Sequence, residues 1–193
     1  MYRSPVDFIP GEIDGSWIVH SPIHEDERGL FREWFKSNEV KTKIGLDFKI
    51  EQANFSESIK GVVRGVHYSL EPSGQAKWIT CTFGSIRDYV IDIRPGSSTY
   101  GKWQAIDLSA GSSSSVLIGR NLGHAFITLS DRASVAYLVS SPFSPESEYS
   151  INPLDKDLAI DWGVDSREII LSTRDRHAPK LLERFETGKL PKL

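Results

Sequence analysis

Lys77-Trp78-Ile79-Thr80-Cys81-Thr82-Phe83-Gly84-Ser85-Ile86-Arg87-Asp88-Tyr89-Val90-Ile91-Asp92-Ile93-Arg94 is rich in β-branched and aromatic residues and is divided once, at Gly84. Residues of these types fit a pleated, packed surface, so the stretch predicts two strands, 77–83 and 85–94. Working outward, similar runs broken by Gly, Ser or Pro predict strands at 17–20, 30–35, 49–56, 61–68, 101–108, 115–118, 124–129 and 133–140. Turns are expected at Glu71-Pro72-Ser73-Gly74, Pro95-Gly96-Ser97 and Ser130-Asp131, and the serines 112–115 beside Gly111 read as a turn. Two short helices are expected at the periphery, Ser37 to Ile44 closed by Gly45 and Pro179 to Thr187 closed by Gly188. So many short strands point to an all-β barrel or two-sheet jelly roll, architectures that limit exposed strand edges.

The chain's 193 residues suit one domain of the usual size, roughly 100–200 residues. At 39% hydrophobic and 25% charged it is an ordinary globular composition, which excludes collagen, coiled coil and disorder. With 23 Lys and Arg against 26 Asp and Glu there is no basic surplus for a nucleic acid partner. The longest unbroken hydrophobic run, 135–139, is far too short to span a membrane. Cys81 is the only cysteine, which rules out an internal disulfide and a zinc site built on several thiolates, and fits a cytoplasmic location.

Strand alternation sends Ile86, Asp88, Val90, Asp92 and Arg94 to one face and Tyr89, Ile91 and Ile93 to the other. The aspartates therefore either enter an enclosed space, where they need cations or donors, or lie on a wet face. By the same parity Gln52, Asn54 and Ser56 share a side. Arg64 and His67 are three apart and reach one cavity only if the chain bulges near Gly65. Of five histidines, His67 and His124 fall in expected strands with polar company. No pair of histidines spaced as in a metal-binding barrel is present, since Tyr68 and Ser69 follow His67, so no metal and no cofactor is expected. Gly-x-Ser-x-Gly and phosphate-loop motifs are lacking too.

Taken in order, Asp26-Glu27-Arg28-Gly29-Leu30-Phe31-Arg32-Glu33, Gln52-Ala53-Asn54-Phe55-Ser56, Gly61-Val62-Val63-Arg64-Gly65-Val66-His67-Tyr68, Gln75-Ala76-Lys77, Asp92-Ile93-Arg94-Pro95-Gly96-Ser97, Gly123-His124-Ala125-Phe126, Pro145-Glu146-Ser147-Glu148 and Ser172-Thr173-Arg174-Asp175 resemble the dTDP-4-dehydrorhamnose 3,5-epimerase family along nearly the whole chain. The resemblance implies a cupin-type jelly-roll barrel, with a core at about 49–149, N-terminal strands exchanged in a homodimer and a C-terminal segment covering the site. It further implies a dTDP-4-keto-6-deoxyhexose substrate whose C3 and C5 are inverted, with epimerases acting at only C3 or only C5 as near alternatives. His67 then corresponds to the base, Asp175 to its carboxylate partner, Tyr137 to the general acid and Lys77 to the lysine near the sugar ketone. Arg28, Glu33, Gln52, Asn54, Arg64, His124, Phe143, Glu148 and Arg174 correspond to substrate-contacting positions. Phe143 stands where tyrosine is common in the family, and Ser69 and Asn121 are further departures. A sugar-nucleotide-binding protein without catalysis would keep the arginines and lose the base, acid or lysine; all are present here. A metal-dependent cupin oxygenase would instead bind iron.

Overall fold

The computed structural model describes residues 6–70 and 74–193, so the expected turn at Glu71-Pro72-Ser73 lies outside the described residues. Two sheets face each other. The first carries, in spatial order, β1 (Asp7–Pro10), β2 (Ser16–His20), β10 (Ser114–Ile118), β7 (Lys77–Phe83), β12 (Arg132–Val139) and β5 (Gln52–Ile59). In the second, β13 (Glu148–Ser150), β6 (Val63–Ser69), β11 (Gly123–Thr128), β8 (Ser85–Ile91) and β9 (Trp103–Ser109) run side by side, and β3 (Ile23–Asp26) pairs with β4 (Gly29–Arg32) in a separate hairpin. The pairings are antiparallel. Among the described residues the α-helices α1 (Ser37–Ile44), α2 (Thr173–Arg176) and α3 (Leu181–Glu186) lie outside the sheets.

Alternation along the strands explains three packed layers. Ile79, Cys81, Ile86, Val90, Leu108, Val116, Ile118, Phe126 and Val135 fill the space between the sheets. Tyr89, Ile91 and Ile127 point from the second sheet to its far side, where Leu158, Trp162, Leu181 and Leu190 of the C-terminal segment cover them. On the outside of the first sheet Trp78, Val19 and Leu117 pack against Val40 of α1 and Phe48. Each fully buried side chain of this kind contributes about 1.5–3 kcal/mol through removal of apolar surface from water.

β8 shows how alternation places charge. Ile86 and Val90 belong to the inner layer and Tyr89 and Ile91 to the outer one, so neither face is wet, and Asp88 is completely buried on the inner side. The strand stops at Ile91, three residues short of the sequence expectation, because Asp92 closes a turn. Arg94 donates to both carboxylate oxygens, at 2.9 and 2.8 Å, and the Thr99 hydroxyl donates at 2.6 Å. Burial alone would raise the Asp92 carboxyl; these donors outweigh it and hold the group well below the usual carboxylate range.

Helix α1 ends as expected, with Gly45 at φ +70° donating its backbone N–H to the Lys41 carbonyl at 3.0 Å. Other expectations shift by a few residues. Strand β4 stops at Arg32 because Trp34 and Phe35 turn to pack on the outer face of the first sheet, and β10 begins at Ser114, one residue ahead of its expected start at Ser115. Strands β1, β3 and β13 and helix α2 were not expected from local pattern.

The bulge required near Gly65 is present. His67 pairs with His124 and Arg64 with Phe126, three residues on β6 against two on β11, so Arg64 and His67 share the inner face. Gly65 adopts φ +139°, and a Cβ there would lie 2.2 Å from the Ala125 Cβ. Gly65→Ala therefore combines backbone strain with overpacking and should lower stability by about 2–5 kcal/mol, measured by urea unfolding. A variant as stable as the wild type would show that β6 tolerates another path here.

Candidate active site

Strands from both sheets converge on a cavity of about 380 Å³ lined by Gln52, Asn54, His67, Gln75, Lys77, Tyr137, Phe143, Glu148 and Arg174. Gln52 and Asn54 come from β5, Lys77 from β7 and Tyr137 from β12, all on the first sheet; His67 and Glu148 come from β6 and β13 on the second. His67 and Tyr137 thus approach from opposite walls. Gln52 is locked by its neighbours, donating to Asn54 at 2.6 Å and accepting from the Phe143 backbone N–H at 2.9 Å. That bond holds the segment carrying the exposed Phe143 ring at the rim.

A second cavity of about 360 Å³ shares His67 and Arg174 with the first and adds Arg64, Leu171, Ser172 and Asp175. His67 thus borders both spaces. Its Nε2 lies 2.7 Å from Oδ1 of Asp175, a residue 108 positions away that α2 carries up to β6. Ser172 caps α2 by accepting the Asp175 N–H at 3.0 Å, which fixes the carboxylate's approach.

The electrostatics fit proton transfer. Burial pushes the His67 imidazole down from its ordinary 6.5; Asp175 opposes that shift and the charges of Lys77 and Arg174 add to it. A neutral ring at pH 7 follows, able to accept a proton. Burial raises the Asp175 carboxyl, but the His67 hydrogen bond and charge, with Ser172 and the Gly65 N–H, more than reverse this, and it stays anionic. Tyr137 is pushed up by burial, so its phenol keeps its proton. Lys77 is buried, which pushes its ammonium down, while Glu148 and Asp88 favour the charged form.

Eight of the expected site residues line the first cavity, and Asp175 and Arg64 join them through the second. Three stand elsewhere. Arg28, in the turn of the β3–β4 hairpin, is exposed and pairs with Asp26, and Glu33 follows the hairpin and pairs with Lys36. His124 is buried behind the cavity wall, its Nε2 2.7 Å from Oδ2 of Asp88. Gln75 was missed by sequence reasoning; its signal is parity, because it lies two residues before Lys77 and faces the same way. Asp88 was singled out by alternation and left without a role.

The sequence model of the dTDP-4-dehydrorhamnose 3,5-epimerase family matches residues 10–183. A dTDP-4-dehydrorhamnose 3,5-epimerase of Mycolicibacterium smegmatis is 42% identical over 179 residues, covering 93% of this chain and 88% of the relative. Among solved structures, NovW, a 4-keto-6-deoxy sugar epimerase of Streptomyces spheroides, superposes with a TM-score of 0.94 at 38% identity over 99% of this chain and 95% of the other. ChmJ of Streptomyces bikiniensis, described as a 3'-monoepimerase in complex with dTDP-quinovose, superposes at 0.91 with 41% identity over 95% and 92%.

Proposed function

Because this chain belongs to the dTDP-4-dehydrorhamnose 3,5-epimerase family, an isomerase family, we propose that it inverts C3 and C5 of dTDP-4-keto-6-deoxy-D-glucose to give dTDP-4-keto-L-rhamnose. The observation that carries the reading is His67, paired with Asp175, facing Tyr137 across one cavity that also holds Lys77.

Hydrogen on a carbon beside a ketone is acidic only because the electron pair left behind delocalises onto the carbonyl oxygen. Neutral His67 takes that proton, Asp175 stabilises the resulting imidazolium, and the C–H electron pair moves into an enolate whose oxygen meets the Lys77 ammonium. Such preorganised charge contributes about 3–4 kcal/mol in other enzymes. Tyr137 then gives its phenolic proton to the same carbon from the other side, and the configuration inverts. Solvent returns a proton to Tyr137 and removes one from His67, so no net proton is consumed.

The second cavity, with Arg64 and Arg174, suits the diphosphate, since guanidinium pairs with phosphate oxygens bidentately. The exposed Phe143 ring suits stacking on thymine. A homodimer accounts for Arg28 and Glu33: the β3–β4 hairpin carries exposed Leu30 and Phe31, and exposed Phe55 and Phe83 belong to the first sheet, a surface that a second copy would cover while bringing the hairpin to its partner's cavity.

An alternative, inversion at C3 alone, is favoured by the 41% identity to a 3'-monoepimerase, nearly the value found for the 3,5-epimerase. Proton NMR of the reaction in heavy water tests both readings. Deuterium entering at C3 and C5 with formation of the L-configured sugar is the expected result; label at C3 alone would replace the proposal by its alternative, and no label anywhere would overturn both.

A further inference from the structure

Asp88 has no part in the reaction written above, yet it is completely buried on the inner face of β8. Its Oδ2 lies 2.7 Å from His124 Nε2, and its Oδ1, also buried, accepts no hydrogen bond among the described residues. A carboxylate so enclosed is strongly disfavoured unless a cation faces it. Lys77, on the opposite sheet, supplies one: burial pushes the Asp88 carboxyl up and the Lys77 ammonium down, and each charge opposes the other's shift. Each charge therefore favours the other, with Glu148 also supporting Lys77 and His124 also supporting Asp88. His124 completes the arrangement because it is the direct cross-strand neighbour of His67, so whatever orients its ring sets the wall beside the base.

We propose that Asp88 is a positioning residue of the proton-transfer site, orienting His124 through Nε2 and holding Lys77 cationic where the enolate oxygen forms. The proposal rests on the epimerase reading, because an enolate is what requires a cation at that point. The charged and titratable groups that act on Lys77 or share its cavity are Asp88 on β8, Glu148 on β13, His67 on β6, Tyr137 on β12 and Arg174 on α2, with His124 on β11 reaching it through Asp88. Glu148, partly buried on the three-residue strand at the edge of the second sheet, is the larger carboxylate influence on Lys77, and Asp88 adds to it from the fully buried side, where solvent does not screen its charge.

Asp88→Asn keeps the shape and removes the charge. The expected result is a kcat lower by about 30-fold or more with the dTDP dissociation constant within about twofold, and a basic limb of the kcat profile displaced by about one pH unit towards neutrality. In protein carrying lysine labelled with 13C at Cε, the Lys77 resonance should titrate at lower pH in Asp88→Asn than in the wild type. An unchanged midpoint and an unchanged pH profile would overturn the proposal, even if activity fell. The NMR titration needs no turnover, so a wild-type chain that exchanges no proton would sink the epimerase reading while this measurement still judged Asp88. Should Asp88→Asn not fold, His124→Gln and His124→Leu take its place: glutamine still donates towards Asp88 and leucine does not. A lower Lys77 midpoint in the leucine variant supports the proposal, and equal midpoints overturn it.

Discussion

His67→Ala is expected to reduce deuterium uptake from heavy water into a 4-keto-6-deoxy sugar nucleotide by about 10³-fold, within the usual contribution of a positioned base. The size of the effect follows from the cavity. Among its lining residues Tyr137 is held protonated by burial, and Lys77, in the cationic form the mechanism assigns it beside Glu148 and Asp88, has no lone pair to accept a proton, so neither replaces the imidazole in that scheme. Asp175 is ionised, but it meets His67 from the second cavity and the ring stands between it and the first. Binding of dTDP should survive, because Arg64, Arg174 and Phe143 are untouched; retained exchange with normal binding would remove His67 from the role of base. The wild-type pH dependence tests the same assignment from another side. Burial lowers the His67 pKa below 6.5, so the neutral, proton-accepting form persists to lower pH than for a free imidazole, and the acid limb of kcat/KM should fall below 6.5. An acid limb well above 6.5 would contradict a buried neutral base.

How much of this was legible from sequence depends on how local the cause is. Strand β7 and helix α1 match their expected bounds because both are decided within a few residues, by β-branched pattern in one and by a left-handed glycine cap in the other. Even the bulge at Gly65 could be foreseen, since Arg64 and His67 cannot share a face without it. Strands β1, β3 and β13 hold Pro10, the charged run His24-Glu25-Asp26 and a three-residue Glu148–Ser150 segment; they exist because tertiary pairing overrides weak local preference. The contact between His67 and Asp175 spans 108 positions, and no periodicity encodes it; it entered through family resemblance and was then met in the geometry. For Asp88, alternation grouped it correctly with Ile86 and Val90 but left open whether that face is enclosed or wet; only the packed structure shows it buried with His124 as its hydrogen-bond partner.

Tyr137→Phe should separate two events that His67→Ala abolishes together. Phenylalanine preserves the ring, which packs against the inner layer, so β12 should keep its pairing with β5 and β7 and stability should change little. What disappears is the proton donor on the wall opposite His67. Proton removal remains possible, the enolate still meets Lys77, and the deuterated imidazolium can return its label to the face from which the proton left. Exchange with retention should therefore continue within several-fold of the wild-type rate, while net inversion falls by about 10²-fold, the loss typical of a missing general acid. The measurement is one time course in heavy water that records label content and configuration at each carbon of the same sample. Equal loss of exchange and inversion would mean that Tyr137 contributes to forming the enolate rather than to quenching it, and the donor would have to be sought elsewhere on the first sheet's side of the cavity. Unimpaired inversion would carry the opposite lesson: with the hydroxyl gone, some other group must reach the carbon from that side, and the two-wall arrangement of base and acid would no longer explain the stereochemistry.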